Sequence, residues 1–144
     1  MAILSNRKGK KMDIEAFLLC DAATDQAGKL NVLGAFDAIF AGQVPATHPA
    51  CAVALRIRFS GIEEGPHPFR ICIIDEDGAE VFPKLEGAIS VKVPPKSDST
   101  VVNVVANLQR LKLPRFGKYR IDLAIDGRQT ASLPFILSQA LPRP

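Results

Sequence analysis

Cys51-Ala52-Val53-Ala54-Leu55-Arg56-Ile57-Arg58-Phe59, then the loop Gly61-Ile62-Glu63-Glu64-Gly65-Pro66-His67-Pro68, then Phe69-Arg70-Ile71-Cys72-Ile73 decide the fold class. Val53, Leu55, Ile57 and Phe59 fall at every second position, with Arg56 and Arg58 between them, and Phe69, Ile71 and Ile73 repeat the pattern. Period-two patterning describes a strand with one packed face and one wetter face. Glycine and proline in the connection mark a reversal. A matching pattern lies near the C-terminus, where Tyr119, Ile121, Leu123 and Ile125 alternate with Arg120 and Asp122 before Asp126-Gly127 turns the chain.

Working outward, turn signals divide the chain into short strands. They fall at about 13–20, 29–40, 51–59, 69–74, 79–82, 88–93, 101–111, 118–126 and 129–137. Gly34 inside the second suggests a bulge or a close backbone approach, and Pro134 in the last suits an edge. No segment sustains a 3.6-residue period, so little or no helix is expected. The prediction is an all-β, antiparallel β-sandwich of about eight or nine strands, Ig-like or C2-like. An up-and-down barrel is the structural alternative, disfavoured by proline-rich connections suited to crossing between sheets.

A chain of 144 residues is one domain in length. The formal net charge of +3 is a property of the first 11 residues. They hold Arg7, Lys8, Lys10 and Lys11 and no acid; the remainder has 14 basic and 15 acidic residues, a net of −1. A nucleic-acid surface would need a basic face on the domain itself, so no nucleic-acid partner is expected. Residues 1–11 read as a disordered basic leader with Met12 as a candidate start, residues 12–138 as the domain and 139–144 as a mobile tail. Met1–Ser5 is too short for a signal-peptide core and no apolar run is long enough to span a bilayer. No membrane association and a cytoplasmic location are expected. Cys20, Cys51 and Cys72 are odd in number, lack paired spacing and sit in strands, which reads as buried thiols in a reducing compartment.

Catalysis needs a nucleophile or acid/base with neighbours that tune it. Counting strands puts His48 and His67 at opposite ends of the molecule, and no nucleophile elbow, phosphate loop, dinucleotide fingerprint or zinc-protease motif occurs. A zinc site from His48, Cys51, His67 and Cys72 would need ligands from both ends. Arg56, Arg58, Arg70 and Arg120 would share the outer face of one sheet if their strands were neighbours. That face is either an anion-binding surface or an ordinary solvated one.

Gly28-Lys29-Leu30-Asn31-Val32-Leu33-Gly34-Ala35-Phe36-Asp37, Pro45-Ala46-Thr47-His48-Pro49 and Gly117-Lys118-Tyr119-Arg120 form a scattered pattern. With it the chain resembles, over about residues 13–138, an uncharacterised bacterial family of short single-domain β proteins classed as a domain of unknown function. The resemblance implies a stand-alone β-sandwich and brings no catalytic residue and no cofactor.

Strict alternation of strand direction gathers loops 41–49, 75–78, 94–99 and 126–128 at one end. Asp75, Asp77 and Asp126 would then be calcium ligands, with Glu76 and Asp98 nearby, as in C2-like sandwiches. The competing reading is turn chemistry, each aspartate bonding its own backbone. In function, the sequence points first to a non-enzymatic protein acting through an unidentified protein partner, with a homodimer compatible. A ligand-binding module, C2-like or carbohydrate-binding, is the second class. Eight Phe, one Tyr and no Trp argue against sugar stacking. A hydrolase on a sandwich scaffold is the third.

Overall fold

Two sheets pack face to face in the computed structural model, which describes residues 12–140. The expected leader 1–11 and residues 141–144 of the expected tail lie outside the described residues. The strands are β1 (Asp13–Gln26), β2 (Lys29–Ala35), β3 (Ala38–Ala41), β4 (Ala46–Ser60), β5 (Gly65–Asp75), β6 (Leu85–Val91), β7 (Ser99–Leu113), β8 (Gly117–Ile125) and β9 (Arg128–Gln139). One sheet has the order β2-β1-β4-β7 and the other β3-β9-β8-β5-β6. A single 3-10 turn, Gly61–Glu63, is the only helical element among the described residues. The all-β sandwich is as the sequence reads.

The core lies where the alternating residues point. Val53, Leu55, Ile57 and Phe59 of β4 face Ile71 and Ile73 of β5 and Ile121, Leu123 and Ile125 of β8, all almost fully buried. β4 and β5 are not a hairpin, however. β4 pairs with β1 and β7, and β5 pairs with β6 and β8, so the Gly61–Glu64 connection carries the chain from one sheet to the other. The buried Glu63 carboxylate pins that crossing, accepting hydrogen bonds from the backbone N–H of Ser60 and of Met12, each at 2.8 Å. A second crossing, β7 to β8, is held by Tyr119. Its hydroxyl donates to the Arg115 carbonyl at 2.6 Å and accepts from the Arg115 N–H at 3.1 Å. A tyrosine bonding back to the backbone a few residues upstream is the tyrosine corner of Ig-like sandwiches.

Five sequence expectations are corrected. The segment 29–40 is two strands, not one. The Phe36 N–H still bonds the Leu19 carbonyl of the first sheet, while the next carbonyl, Asp37, already takes the Ile136 N–H of the second. β3 then runs parallel to β9, so the sandwich is not wholly antiparallel. The segment 79–82 is no strand: the Asp75 turn and Pro83 leave room for one bridge, Ile74 to Glu80. β9 is not the edge of its sheet, because β3 lies outside it; Pro134 is tolerated since β3 begins only opposite Ile136. Residues 139 and 140, expected in the tail, are held by the sheet, since Gln139 belongs to β9 and the Ala140 N–H bonds the Ala41 carbonyl.

The β1–β2 hairpin has a shape that periodicity did not suggest. Cys20 is opposite Ala52 on β4, and a straight β1 would carry Gly28 away from Arg56. Instead the Gly28 carbonyl accepts hydrogen bonds from Arg56 Nη1 at 3.2 Å and Asn103 Nδ2 at 3.1 Å. The hairpin therefore folds back over the outer face of its own sheet. Ala23 and Leu30 of the hairpin, with Val105 of β7, pack against Cys20, Ala52 and Ala54, all fully buried. The two-residue turn Ala27-Gly28 has positive φ at both residues (52° and 79°), the geometry that matches strand twist in a tight hairpin. At Gly34, φ is 66° and a Cβ would collide with the Asp21 carboxylate opposite. Glycine is required there.

This second, small core makes a checkable demand. On a wet sheet face Ala54→Leu would change stability by less than about 0.5 kcal/mol. Under the hairpin it overpacks, and a loss of about 1–3 kcal/mol is expected in denaturant unfolding. An unchanged midpoint would mean that the hairpin does not cover β4.

Candidate functional site

The acidic residues singled out as calcium ligands are divided between the two ends of the second sheet. Asp75 pairs with Tyr119 at one end of β5, whereas the Asp126 N–H bonds the Pro68 carbonyl at the other. The six residue pairs between put Asp126 roughly 20 Å from Asp75. Because 79–82 is not a strand, the strands after it run, relative to β5, opposite to the direction assumed, and loop 126–127 lies at the other end of the sheet from Asp75. Asp75 and Asp77 do come together, but around a cation. Arg115 Nη2 lies 3.0 Å from Asp75 Oδ2 and 3.0 Å from Asp77 Oδ2. The other Asp75 oxygen accepts the backbone N–H groups of Asp77 and Ala79, each at 2.9 Å. The Ala79 N–H first, then the Asp77 N–H and Arg115, hold the Asp75 carboxyl below its ordinary range despite burial. Glu76 accepts the Lys118 N–H at 2.8 Å. These contacts tie the 76–84 loop to the β7–β8 corner, so the aspartates serve turn and corner. Among the described residues no three His, Cys, Asp or Glu side chains are grouped to hold a metal ion.

At the opposite end Asp126 meets His67. His67 Nδ1 is 2.8 Å from Asp126 Oδ2, Nε2 is 2.6 Å from the Glu63 carbonyl, and the ring lies 4.9 Å from that of Phe59. Both ring nitrogens face acceptors, an arrangement that only the doubly protonated imidazolium satisfies. Burial pushes the His67 pKa down, but the Glu63 carbonyl and the Asp126 carboxylate together raise it above 6.5. His48 sits near the start of β4 beside Phe36, with ring centroids 5.7 Å apart, so the two histidines are at opposite ends as the sequence reads.

The arginines are split between faces. Arg56 and Arg58 share Glu15 (3.1 and 2.6 Å) on the first sheet, where Arg58 first and then Arg56 hold the Glu15 carboxyl down. Arg120 pairs with Asp122 on the second sheet, and Arg70 is on β5 of that sheet. No common basic face results. Cys20 and Cys51 are buried and Cys72 is half-buried. Burial raises all three thiols, Cys51 to about 11, which keeps them protonated and poorly nucleophilic. Among the described residues no buried side-chain polar atom lacks a partner.

What sequence reasoning missed is a groove at the β2–β3 crossover. A cavity of about 430 Å³ is lined by Asp21, Gly34, Ala35, Phe36, Ala38, Ile39, Phe40 and His48. Phe40 is 67% exposed and Leu33, next to Gly34, is 70% exposed. Ile136, opposite Ala38 on β9, and Val44 in the β3–β4 loop add two more exposed apolar side chains. The signal was present in the sequence: Phe36, Ile39 and Phe40 cannot all face one way in a single strand, and a break between them sends Ile39 inward and Phe40 outward.

A protein-family model described as a family of unknown function, DUF6941, matches residues 15–138. The chain belongs to the DUF6941 family. No curated protein matches it. Solved structures similar to this DUF6941 chain include the following two. One is an alkylpurine DNA glycosylase, AlkC, of Pseudomonas fluorescens bound to DNA containing an abasic site analog. It is 8% identical, with a TM-score of 0.47 over 89% of this chain, which spans 30% of that one. The other is an immunoglobulin-like protein of Pseudomonas aeruginosa, 14% identical, with a TM-score of 0.38 over 88% of this chain and 96% of that one. Among the described residues of the DUF6941 chain no helix is long and apolar enough to cross a membrane.

The His67 contacts give a signed pH dependence. A folded pKa above the unfolded one stabilises the fold fully below about 6.5, and that contribution is lost as pH rises through the folded value. The melting temperature should fall as pH rises above about 6.5 in the wild type, and His67→Gln should remove that slope. A slope unchanged in His67→Gln would place the titration on another group.

Proposed function

We propose that this DUF6941 protein is a non-enzymatic binding module that holds a partner protein at the β2–β3 crossover. The observation that carries the reading is the pairing of Phe40 and Leu33, both about two-thirds exposed, with the cavity between their strands. Scattered exposed apolar residues are normal on a monomer; several gathered around one concavity suit recognition. The walls combine apolar Phe36, Ile39 and Phe40 with Asp21 and His48 at the polar side. Such a site fits an apolar anchor side chain with one or two hydrogen-bonding neighbours, the usual form of a binding hot spot. A non-enzymatic role is supported by the separation of His48 from His67 and by thiols held in their protonated form.

The test is capture of a partner from the native host on immobilised wild-type chain, Phe40→Asp and Ile62→Asp. Ile62 is 74% exposed in the 3-10 turn at the opposite end, so it controls for general stickiness. A stoichiometric partner should be lost at least tenfold with Phe40→Asp and kept with Ile62→Asp. A partner retained equally by all three, or by none, would refute the groove as its site.

A further inference from the structure

Two open sheets have four edges, and the chain treats them unequally. β3 is 4 residues long; β2 and β6 are 7 each, β2 broken by Gly34 at positive φ and β6 carrying Glu86 and Gly87. Short length, bulges, glycine and charge are how proteins keep edges from pairing. β7 is 15 residues long, pairs among the described residues on one side only, with β4, and has none of these devices over its first 11 residues. Ser99-Thr100-Val101-Val102-Asn103-Val104-Val105-Ala106-Asn107-Leu108-Gln109 contains no charge, proline or glycine, and five of the residues are β-branched. The first bulge-like residue is Arg110, with φ of 56°. We propose that β7 pairs antiparallel with β7 of a second copy of this chain, across a two-fold axis, so that two four-stranded sheets become one of eight strands.

The occupant is a second copy because the run is complementary to itself. Val102, Val104 and Ala106 are partly buried against the core on one face of β7. Any antiparallel register that opposes even-numbered residues with even-numbered ones keeps those side chains on the core face in both copies. Two half-covered apolar rows then close on each other. A two-fold axis sets like residues near each other, which repels when they are charged; here nothing from Ser99 to Gln109 is charged. A different protein's strand would be selected by opposite charges or by pockets for its side chains, and the run offers no charge to read. Eleven residues of edge extend roughly 37 Å. With a sandwich flank about 20 Å thick, this presents on the order of 700 Å² per copy, close to the about 800 Å² of a standard-size interface.

The experiment is light scattering of the full chain over micromolar concentrations, with two edge variants. Asn107 is exposed in the monomer and Val101 lies on the outer face. Full overlap of the two runs sets Val101 opposite Asn107, so Val101→Lys/Asn107→Lys places like charges across the pairing, whereas Asn107→Lys alone leaves each lysine facing a valine. The wild type should have twice the 15.5 kDa chain mass. The double variant should be monomeric with an unchanged circular dichroism spectrum, and Asn107→Lys alone should remain dimeric. Phe40→Asp, at the other flank, should remain dimeric. A monomeric full chain would overturn the proposal, and if a chain beginning at Met12 then dimerised, the occupant would be the chain's own first residues. A dimer that survives Val101→Lys/Asn107→Lys undiminished would also overturn it.

Discussion

Burial of β4 on both faces is the constraint on which the rest of the molecule depends. Cys51 to Leu55 are five consecutive residues with essentially no exposure. The inward set is closed by the second sheet in the ordinary way of a sandwich. The outward set, Ala52 and Ala54, is closed by the chain's own β1–β2 hairpin bent back across it. That explains two choices of residue at once. Alanine is the side chain that lets a hairpin come this close, and Arg56 and Asn103, one register step beyond, are the donors that hold its tip.

The hairpin also sets where the rest of the surface is. Having folded over the first sheet, β2 ends level with Cys20, and the chain changes sheets within a single peptide between Phe36 and Asp37. The change is abrupt, so Ile39 enters the core while Phe40 is left outside beside a concavity. The groove is thus a by-product of the crossing that lets β3 cap β9. Among the described residues no such strand caps β7 on the opposite flank. One flank of the sandwich is shaped into a pocket and the other is left as a long edge uncharged from Ser99 to Gln109, which is why different occupants are proposed for them.

The sequence made some of this legible and concealed the rest for definite reasons. Alternation at Val53–Phe59 and Tyr119–Ile125 is a local signal, and both strands are where it puts them with the faces it assigns. Asp126-Gly127 announces its turn because only a few residue types, Asp and Gly among them, accept positive φ. Strand direction, by contrast, is a global quantity. Taking Ala79–Phe82 as a strand reversed everything after it relative to β5 and brought Asp126 to Asp75 on paper, while hiding Arg115, the cation that in fact lies between Asp75 and Asp77. The folded-back hairpin left one clue, the unbroken apolar run of Cys51 to Leu55 within an otherwise alternating strand. Period-two reasoning discards such a run, since alanine is small enough to pass as an exposed residue.

Cys20 reports on the central feature directly. Its thiol is fully buried beneath the hairpin, bonded to the Ala52 carbonyl at 3.5 Å, and it can meet a reagent only when the hairpin lifts. Site-resolved thiol labelling of the native chain, read by mass spectrometry across a denaturant series, measures that opening. If the hairpin is part of the fold's cooperative core, Cys20 labels at the rate of Cys51, and both follow global unfolding. Labelling of Cys20 in the native state at the rate of an exposed thiol, with Cys51 still protected, would contradict the account.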